Sequence, residues 1–246
     1  VKSMNLNNRS CIVTGGTRGI GRAIAKMFLA QGARVVLCGR SEDAVRDAVA
    51  ELAAENPGKV NGKVADVRVQ EQVTEFFGFA EAFLGGLDVL VNNAGVGVFR
   101  PISELSLEEW RLAVDTNLTG AFLCSREAIR GMGGRGGSIV NISSLAGANA
   151  FAGGSAYNAS KFGLNGFSEA MMQDLRGVGI RVSYVMPGSV ATEFGHPGIA
   201  HGTAKDLGLD WRIWPEDVAE VVRTIVEMPE RTLVSRVEVR PSRPKK

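Results

Sequence analysis

Short apolar runs rich in β-branched residues alternate along the chain with longer segments of helical periodicity. Several of the short runs are apolar throughout, which is typical of strands that are covered on both faces. The pattern predicts strands at 10–14, 34–37, 59–63, 87–91, 138–142 and 181–185, and a last alternating run at 233–239. It predicts helices at 19–30, 44–55, 69–83, 107–130, 156–176 and 215–227.

This alternation of strands and helices predicts the fold class. Strand–helix–strand units at this spacing form a parallel sheet, and right-handed crossovers place helices on both of its faces. We therefore predict an α/β fold, a Rossmann-type doubly wound parallel sheet in three αβα layers. A length of 246 residues leaves one or two domains open, but no linker or repeat divides the chain, so we predict a single domain over 1–246. Within it, the irregular segment at about 189–213 is predicted to be a lid-like substrate loop.

Composition excludes several classes of partner. The formal net charge is only +2, so neither nucleic acid nor an anionic membrane is an expected partner. No apolar run is long enough to span a bilayer and the first residues are polar, so we expect a cytoplasmic protein. Cys11, Cys38 and Cys124 lack CxxC spacing, and His196 and His201 have no carboxylate cluster beside them, so no metal site is predicted.

A glycine-rich turn follows the first predicted strand directly, with the sequence TGGTRGIG over 14–21. Gly15 permits a tight turn, while Gly19 and Gly21 let the backbone and the next helix approach a diphosphate closely. The positive end of the helix dipole then favours the anion. The position between a strand and a helix therefore predicts a dinucleotide site.

The end of the second predicted strand distinguishes between dinucleotides. An NAD site places an acidic residue there to accept hydrogen bonds from the ribose 2′-hydroxyl, but this chain has Gly39 followed by Arg40. Arg40 can bind a 2′-phosphate through charge-assisted hydrogen bonds, and Arg18 can reach the same phosphate from the glycine-rich turn. The alternative is that both are ordinary surface arginines. The missing acid favours NADP(H) as the cofactor.

A tyrosine and a lysine four residues apart form the candidate catalytic pair. In a helix, Tyr157 and Lys161 share one face, so the ammonium lies near the phenol. A nearby cation, helped by the positive nicotinamide ring of the cofactor, favours the phenolate, and we expect the tyrosine pKa to move toward working pH. Tyr157 would then act as the acid or base, and Ser144, at the end of its strand, would hydrogen-bond the substrate oxygen.

The conjunction of these motifs resembles the short-chain dehydrogenase/reductase family, in its NADP-preferring form, over nearly the whole chain. The motifs stand in the family's order: the TGxxxGxG turn at 14–21, Asp66 with Val67, Asn92 to Gly95, Asn117, Ser144, Tyr157 with Lys161, and Pro187 and Gly188 with Thr192.

The resemblance implies a role for each matching position. Asn117, Ser144, Tyr157 and Lys161 would be catalytic, with Asn117 holding a water in a proton relay to Lys161. Lys161 would also bind the nicotinamide ribose, Asp66 and Val67 would border the adenine, and the 187–192 turn would contact the nicotinamide amide. The implied cofactor-binding residues are Gly15, Thr17, Arg18, Gly19, Ile20, Gly21, Arg40, Ser41, Asp66, Val67, Asn93, Ala94, Gly95, Tyr157, Lys161, Pro187, Gly188, Val190 and Thr192.

The expected activity is the reversible, NADPH-dependent reduction of a ketone or aldehyde to an alcohol, with a small-molecule carbonyl or alcohol as partner. A 3-oxoacyl-acyl-carrier-protein reductase-like activity is one alternative, although the C-terminal residues 231–246 depart from that pattern. A catalytically idle NADP-binding sensor is another. Long apolar faces at 107–130 and 156–176, together with the resemblance, predict a homodimer or homotetramer.

Overall fold

Apolar strands with no polar face form the centre of the molecule. The computed structural model describes residues 5–194 and 211–244. Within these residues, seven strands form one parallel sheet in the order β3-β2-β1-β4-β5-β6-β7. The strands are β1 Ser10–Thr14, β2 Arg34–Gly39, β3 Val60–Val64, β4 Val89–Asn92, β5 Gly137–Ile142, β6 Ile180–Pro187 and β7 Arg236–Val239.

Helices connect these strands and cover both faces of the sheet, so the predicted fold class is confirmed. They are α1 Gly19–Ala30, α2 Glu42–Glu55, α3 Gln70–Leu84, α4 Leu107–Val114, α5 Gly120–Met132, α6 Ser155–Leu175 and α7 Pro215–Glu227. None of the helices in the described ranges has the length and hydropathy of a membrane span.

Two apolar cores, one on each face, explain why the strands are apolar throughout. Side chains alternate between the faces along a strand, so Cys11 and Val13 enter one core while Ile12 enters the other. Helices α1, α2 and α7 pack on the first face, where Phe28 is fully buried. Helices α3, α5 and α6 pack on the second face, where Phe76 is fully buried.

The three cysteines are buried in these cores. Burial raises the pKa of the Cys38 thiol to about 12 and raises the pKa values of Cys11 and Cys124 as well. Because a thiol reacts as the thiolate, these cysteines are packing residues and not nucleophiles.

The predicted helix at 107–130 is interrupted. Helices α4 and α5 are separated by one π-helical turn, Asp115–Thr119, which contains Asn117. Such a turn carries one extra residue, and it commonly occurs at functional positions. The other predicted helices and strands are present, with ends that shift by at most three residues and bounds that match for β1, α1 and α7.

The strand order reverses beside β1, and this reversal determines where a ligand fits. The crossover after β1 leads to β2 on one side, whereas β4 pairs with β1 on the other side. The connections that leave the carboxyl ends of β1 and β4 therefore diverge, and a crevice opens between them.

Candidate active site

A cavity of about 1060 Å³ opens along the carboxyl edge of the sheet, at this crevice. Its volume lies at the upper end of the range of roughly 300–1,000 Å³ for ligand pockets, which leaves room for more than one small ligand. The sequence-predicted residues that line it are Gly15, Thr17, Arg18, Gly19, Ile20, Arg40, Ser41, Asp66, Val67, Asn93, Ala94, Gly95, Ser144, Tyr157, Lys161, Pro187, Gly188, Val190 and Thr192. Gly21 and Asn117 lie behind this lining.

The glycine-rich turn requires its glycines for close packing. Gly15 has a φ of +62°, and a Cβ there would lie 2.9 Å from the Ala94 Cα. A Cβ on Gly21 would collide with the Asn93 amide and the Gly15 carbonyl, so Gly21 lets α1 begin directly against β4. The first turn of α1 thus faces the cavity with its backbone N–H groups, as an anion site at a helix N-terminus requires.

Asn93 joins the two strands at the crevice. Its Nδ2 donates to the carbonyls of Thr14 and Gly15, at 3.0 Å each. The Thr14 hydroxyl in turn accepts from the backbone N–H groups of Asn93 and Ala94, also at 3.0 Å. These four bonds hold the glycine-rich turn in place against the end of β4.

The two arginines expected at the 2′-phosphate differ in their surroundings. Arg40 is exposed at the cavity edge beside Ser41. Arg18 donates to Glu193 at 2.7 Å, so the glycine-rich turn is joined by an ion pair to the segment after β6. The pair is solvent-exposed, and such pairs contribute only about 0–1 kcal/mol, so a phosphate can displace Glu193.

Gly39 also has a packing role beside the glycine-rich turn. A Cβ at this position would lie 2.7 Å from the Thr17 Cγ2. A side chain at position 39 would therefore require Thr17 to turn or shift, and Gly39 also leaves the site without a carboxylate. After the next strand, β3, Asp66 pairs with Arg68 at 2.5 Å, and the hydrogen bond from Arg68 lowers the Asp66 pKa.

Tyr157 and Ser144 meet at the other end of the cavity. Burial raises the pKa of Tyr157, and a side-chain hydrogen bond with Ser144 partly opposes that shift. Ser144 follows β5 in an extended conformation, and its Oγ also accepts from the Ala146 backbone N–H at 3.1 Å. The two hydroxyls thus lie together where an oxygen of a substrate could contact both.

Lys161 lies behind the tyrosine ring. Its Nζ donates to the Ile142 carbonyl at 2.9 Å and lies 5.8 Å from the centroid of the Tyr157 ring. Burial lowers the pKa of Lys161 to about 8. The expectation that Lys161 lowers the Tyr157 pKa is wrong for the protein alone, because desolvation dominates the pKa of both groups.

The π-helical turn directs Asn117 toward the same helix. The Asn117 carboxamide accepts from the Val96 N–H at 2.8 Å and donates to the Ser160 Oγ at 2.9 Å. Ser160 donates onward to the Tyr157 carbonyl at 2.7 Å. A Cβ on Gly95 would lie 3.2 Å from the Asn117 Oδ1 and 3.9 Å from the Lys161 Nζ, so both groups approach the same glycine.

Sequence reasoning missed the residues that shape the rest of the cavity. Two asparagines of α6, Asn158 and Asn165, hold the segment after β5 by bonds to the carbonyls of Ala146 and Gly147 at 2.6 and 3.0 Å. Their spacing on the helix face of Lys161 was an available signal. The phenylalanines at the cavity carried none, because they lie in irregular segments; they are Phe99, Phe151 and Phe194.

Two tryptophans, Trp211 and Trp214, also line the cavity, whereas Trp110 does not. The expected lid at 189–213 is described only at 189–194 and 211–213, and His196 and His201 lie outside the described residues.

Comparison with known proteins identifies the family. The family model for short chain dehydrogenases matches residues 9–200, so the chain belongs to that family of oxidoreductases. It is 36% identical over 207 residues to a 3-oxoacyl-[acyl-carrier-protein] reductase of Chlamydia muridarum, covering 84% of this chain and 82% of that protein. It is 37% identical over 192 residues to a 3alpha-hydroxysteroid dehydrogenase of Mediterraneibacter gnavus, covering 77% of each.

Among solved structures, the chain is similar to an alcohol dehydrogenase of the archaeon Thermococcus sibiricus complexed with 5-hydroxy-NADP. The TM-score is 0.87 at 28% identity, over 97% of this chain and 99% of that one. The resemblance inferred from the motifs is confirmed. These relatives differ in the substrates that their names state. Membership of the family therefore does not determine the substrate, and the lining of the cavity has to indicate it.

The buried Lys161 ammonium should make stability depend on pH. Its pKa is about 8 in the folded chain, against 10.5 for an unperturbed lysine, so between these values the unfolded chain holds a proton that the folded chain has lost. Stability therefore gains about 1.4 kcal/mol per pH unit from this group as pH rises through that window. The buried cysteines act in the opposite sense above about pH 9, so the gain should appear in denaturant titrations as a difference: the wild type should become more stable relative to Lys161→Met as pH rises from about 8 to 10.5.

The exposed Lys26→Met variant on α1 is the matched control, and it should keep the pH dependence of the wild type. Identical pH dependence in wild type and Lys161→Met would contradict the assignment of a neutral lysine above pH 8.

Proposed function

We propose that this protein is an NADPH-dependent oxidoreductase that reversibly reduces a ketone or aldehyde to an alcohol, with Tyr157 as the acid or base. The observation that carries the proposal is the meeting of Ser144, Tyr157 and Lys161 at one end of a cavity whose other end is the glycine-rich turn. A carbonyl oxygen bound at the first end would contact the hydroxyls of both Ser144 and Tyr157.

The residues present fit NADPH. The close-packed glycines leave a cradle of backbone N–H groups for the diphosphate, and Arg40 with Ser41 lies at the cavity edge where a 2′-phosphate would be bound. No carboxylate side chain projects from Gly39 to repel that phosphate. The related alcohol dehydrogenase structure, which holds 5-hydroxy-NADP, supports the same choice.

NADPH, when bound, supplies a hydride to the carbonyl carbon. The chain supplies the proton: Tyr157 donates its phenolic hydrogen to the carbonyl oxygen as negative charge develops there. Because burial raises its pKa, Tyr157 is protonated at neutral pH, and this is the form that reduction requires. Ser144 donates to the same oxygen and holds it against the phenol. Lys161, charged below pH 8, stabilises the tyrosinate that remains.

Replacement of Tyr157 by Phe tests the proton donor. The substitution removes one hydroxyl and keeps the ring packing, so turnover of an aldehyde or ketone panel should fall by about 10²–10⁴-fold or more. The dissociation constant of NADPH should change by less than about twofold, since the adenine end of the cavity is untouched. Absorbance loss of NADPH and a binding titration give the two numbers. Near-normal turnover in Tyr157→Phe would place the chemistry elsewhere.

Replacement of Arg40 tests the cofactor. Each charge-assisted hydrogen bond contributes about 1.5–3 kcal/mol, so contacts from Arg40 and Arg18 should favour NADPH over NADH by about 10²–10³-fold in affinity. Arg40→Asp should erase or reverse this preference by repelling the phosphate and offering an acceptor to the ribose. Higher salt should weaken NADPH binding more than NADH binding.

The exposed Arg130→Asp variant, on α5 and away from the cavity, controls for the change of net charge and should keep the preference. Dissociation constants for NADPH and NADH that agree within a factor of two in the wild type would overturn the NADPH assignment.

A 3-oxoacyl-acyl-carrier-protein reductase-like activity is the second candidate, supported by the Chlamydia muridarum relative. It would use the same Ser144, Tyr157 and Lys161, so only the substrate distinguishes it. An idle NADP-binding sensor would need none of these three side chains, and their joint presence at the cavity favours an enzyme.

We further propose that the protein forms a homodimer or homotetramer through α5 and α6. Phe122 of α5 lies exposed against Phe167 of α6 with ring centroids 6.3 Å apart, and Phe162 of α6 is exposed as well. An apolar face of this kind is costly in water and is covered on association. Sedimentation velocity at micromolar concentration should show a dimer or larger species, which Phe122→Glu should dissociate. A monomeric wild type would refute the proposal.

A further inference from the structure

Three phenylalanine rings lie in a row with the Tyr157 ring, beside the hydroxyls of Tyr157 and Ser144. The Tyr157 ring contacts Phe99 at 5.4 Å and Phe194 at 5.8 Å between centroids, and Phe151 lies 5.9 Å from Phe99. We call Phe99, Phe151 and Phe194 the aromatic wall. They come from three segments that are distant in the sequence, following β4, β5 and β6, and all three line the cavity.

The wall is unusually exposed for aromatic side chains. Phe99, Phe151, Phe194 and the nearby Trp214 keep between 37% and 47% of their surface accessible. Isolated exposed apolar residues are ordinary, but a contiguous group beside polar, reactive groups marks a binding surface. An apolar ligand that covered these rings would gain the free energy of burying them.

The structure holds the aromatic wall in place. Asn158, buried in α6, donates to the carbonyls of Ala146 and Asn149 at 2.6 and 3.1 Å and so fixes the segment that leads to Phe151. Gly97 allows the other two rings to approach, because a Cβ there would lie 2.9 Å from Phe99 and 3.0 Å from Phe194. The wall is therefore a built surface and not a chance cluster.

Among the described residues, three charged side chains that line the cavity already have partners: Glu193, Arg212 and Arg240. Glu193 pairs with Arg18 at 2.7 Å, and Arg240 pairs with Glu238 at 2.8 Å. The Arg212 guanidinium lies over the Trp211 ring, 5.4 Å from its centroid. A phosphate that displaces Glu193 from Arg18 leaves this carboxylate next to Phe194, where it disfavours an anionic substrate, whereas a hydrocarbon group meets the rings directly.

We propose that the substrate is an uncharged ketone that carries a ring-containing hydrocarbon group, which packs on the aromatic wall while its carbonyl reaches Tyr157 and Ser144. This inference rests on the proposed function and adds the substrate class to it. Two rings of the wall, Phe99 and Phe194, contact the Tyr157 ring, so a group bound on the wall lies next to the proton donor.

Four probes with NADPH test the class: acetophenone, acetone, phenylglyoxylate and the acetoacetyl thioester of N-acetylcysteamine. Phenylglyoxylate has a carboxylate where acetophenone has its methyl group, and acetone lacks the ring. Burial of one phenyl ring predicts a kcat/KM for acetophenone that exceeds that for acetone by about 10–100-fold. The kcat/KM for acetophenone should exceed the values for phenylglyoxylate and for the linear thioester by at least about tenfold.

Two variants locate the preference in the wall. Gly97→Ala adds a methyl group that displaces the rings of Phe99 and Phe194 without changing a left-handed backbone position. Phe151→Ser removes one ring. Each should lower kcat/KM for acetophenone by about tenfold, chiefly through KM, and change that for acetone by less than about twofold. Val178→Ser is the control, since Val178 is 56% exposed just beyond α6 and does not line the cavity.

The outcomes separate this inference from the proposed function. Reduction of phenylglyoxylate or the thioester in preference to acetophenone, or equal loss for acetone and acetophenone in Gly97→Ala, would overturn the inference and leave the reductase intact. If NADPH reduces none of the four, the proposed function fails, and calorimetric titration of acetophenone decides the inference. Binding that Gly97→Ala and Phe151→Ser both weaken would support it, and binding unchanged by them would overturn it.

Discussion

The hydrogen bonds between Thr14, Gly15 and Asn93 are the interaction on which the site depends. The strand order reverses beside β1, so the chain leaves β1 and β4 in opposite directions, and the pairing of these two strands ends at Val13 and Val91. The Asn93 carboxamide spans this junction by donating to two carbonyls of the glycine-rich turn, and the Thr14 hydroxyl accepts two further hydrogen bonds from the backbone that follows β4. The glycine-rich turn therefore has a fixed position relative to β4, and the cavity has a fixed floor.

Helix α6 performs the corresponding task at the other end of the cavity. Its residues Asn158, Lys161 and Asn165 lie on one helical face. They donate to the carbonyls of Ala146, Ile142 and Gly147 respectively, at the end of β5 and in the segment after it. These bonds join the helix that carries Tyr157 to the segment that carries Ser144, so the distance between the two side chains is fixed. The same helix receives Asn117 through Ser160, which ties the π-helical turn to the site.

The sequence predicted the sheet and its helices because apolar periodicity is a local signal, and it brought the motif residues to one edge because parallel strands end together. The π-helical turn at Asp115–Thr119 was not predictable, since it results from Asn117 reaching Val96 and Ser160 across the fold. The direction of the Tyr157 pKa was also missed. The spacing predicted that Lys161 lies near Tyr157. It did not indicate how deeply the tyrosine is buried, and the effect of burial on the Tyr157 pKa outweighs that of the lysine charge. The aromatic wall was hidden for the same reason, because Phe99, Phe151 and Phe194 meet only in three dimensions.

The contact between Gly39 and Thr17 makes the two positions interdependent. Any side chain at 39 begins with a Cβ that would lie 2.7 Å from the Thr17 methyl, so Thr17 must turn or shift before an acidic residue fits there. A change of preference toward the unphosphorylated dinucleotide through position 39 therefore involves position 17 as well, whereas Arg40, exposed at the cavity edge, can be replaced without that adjustment.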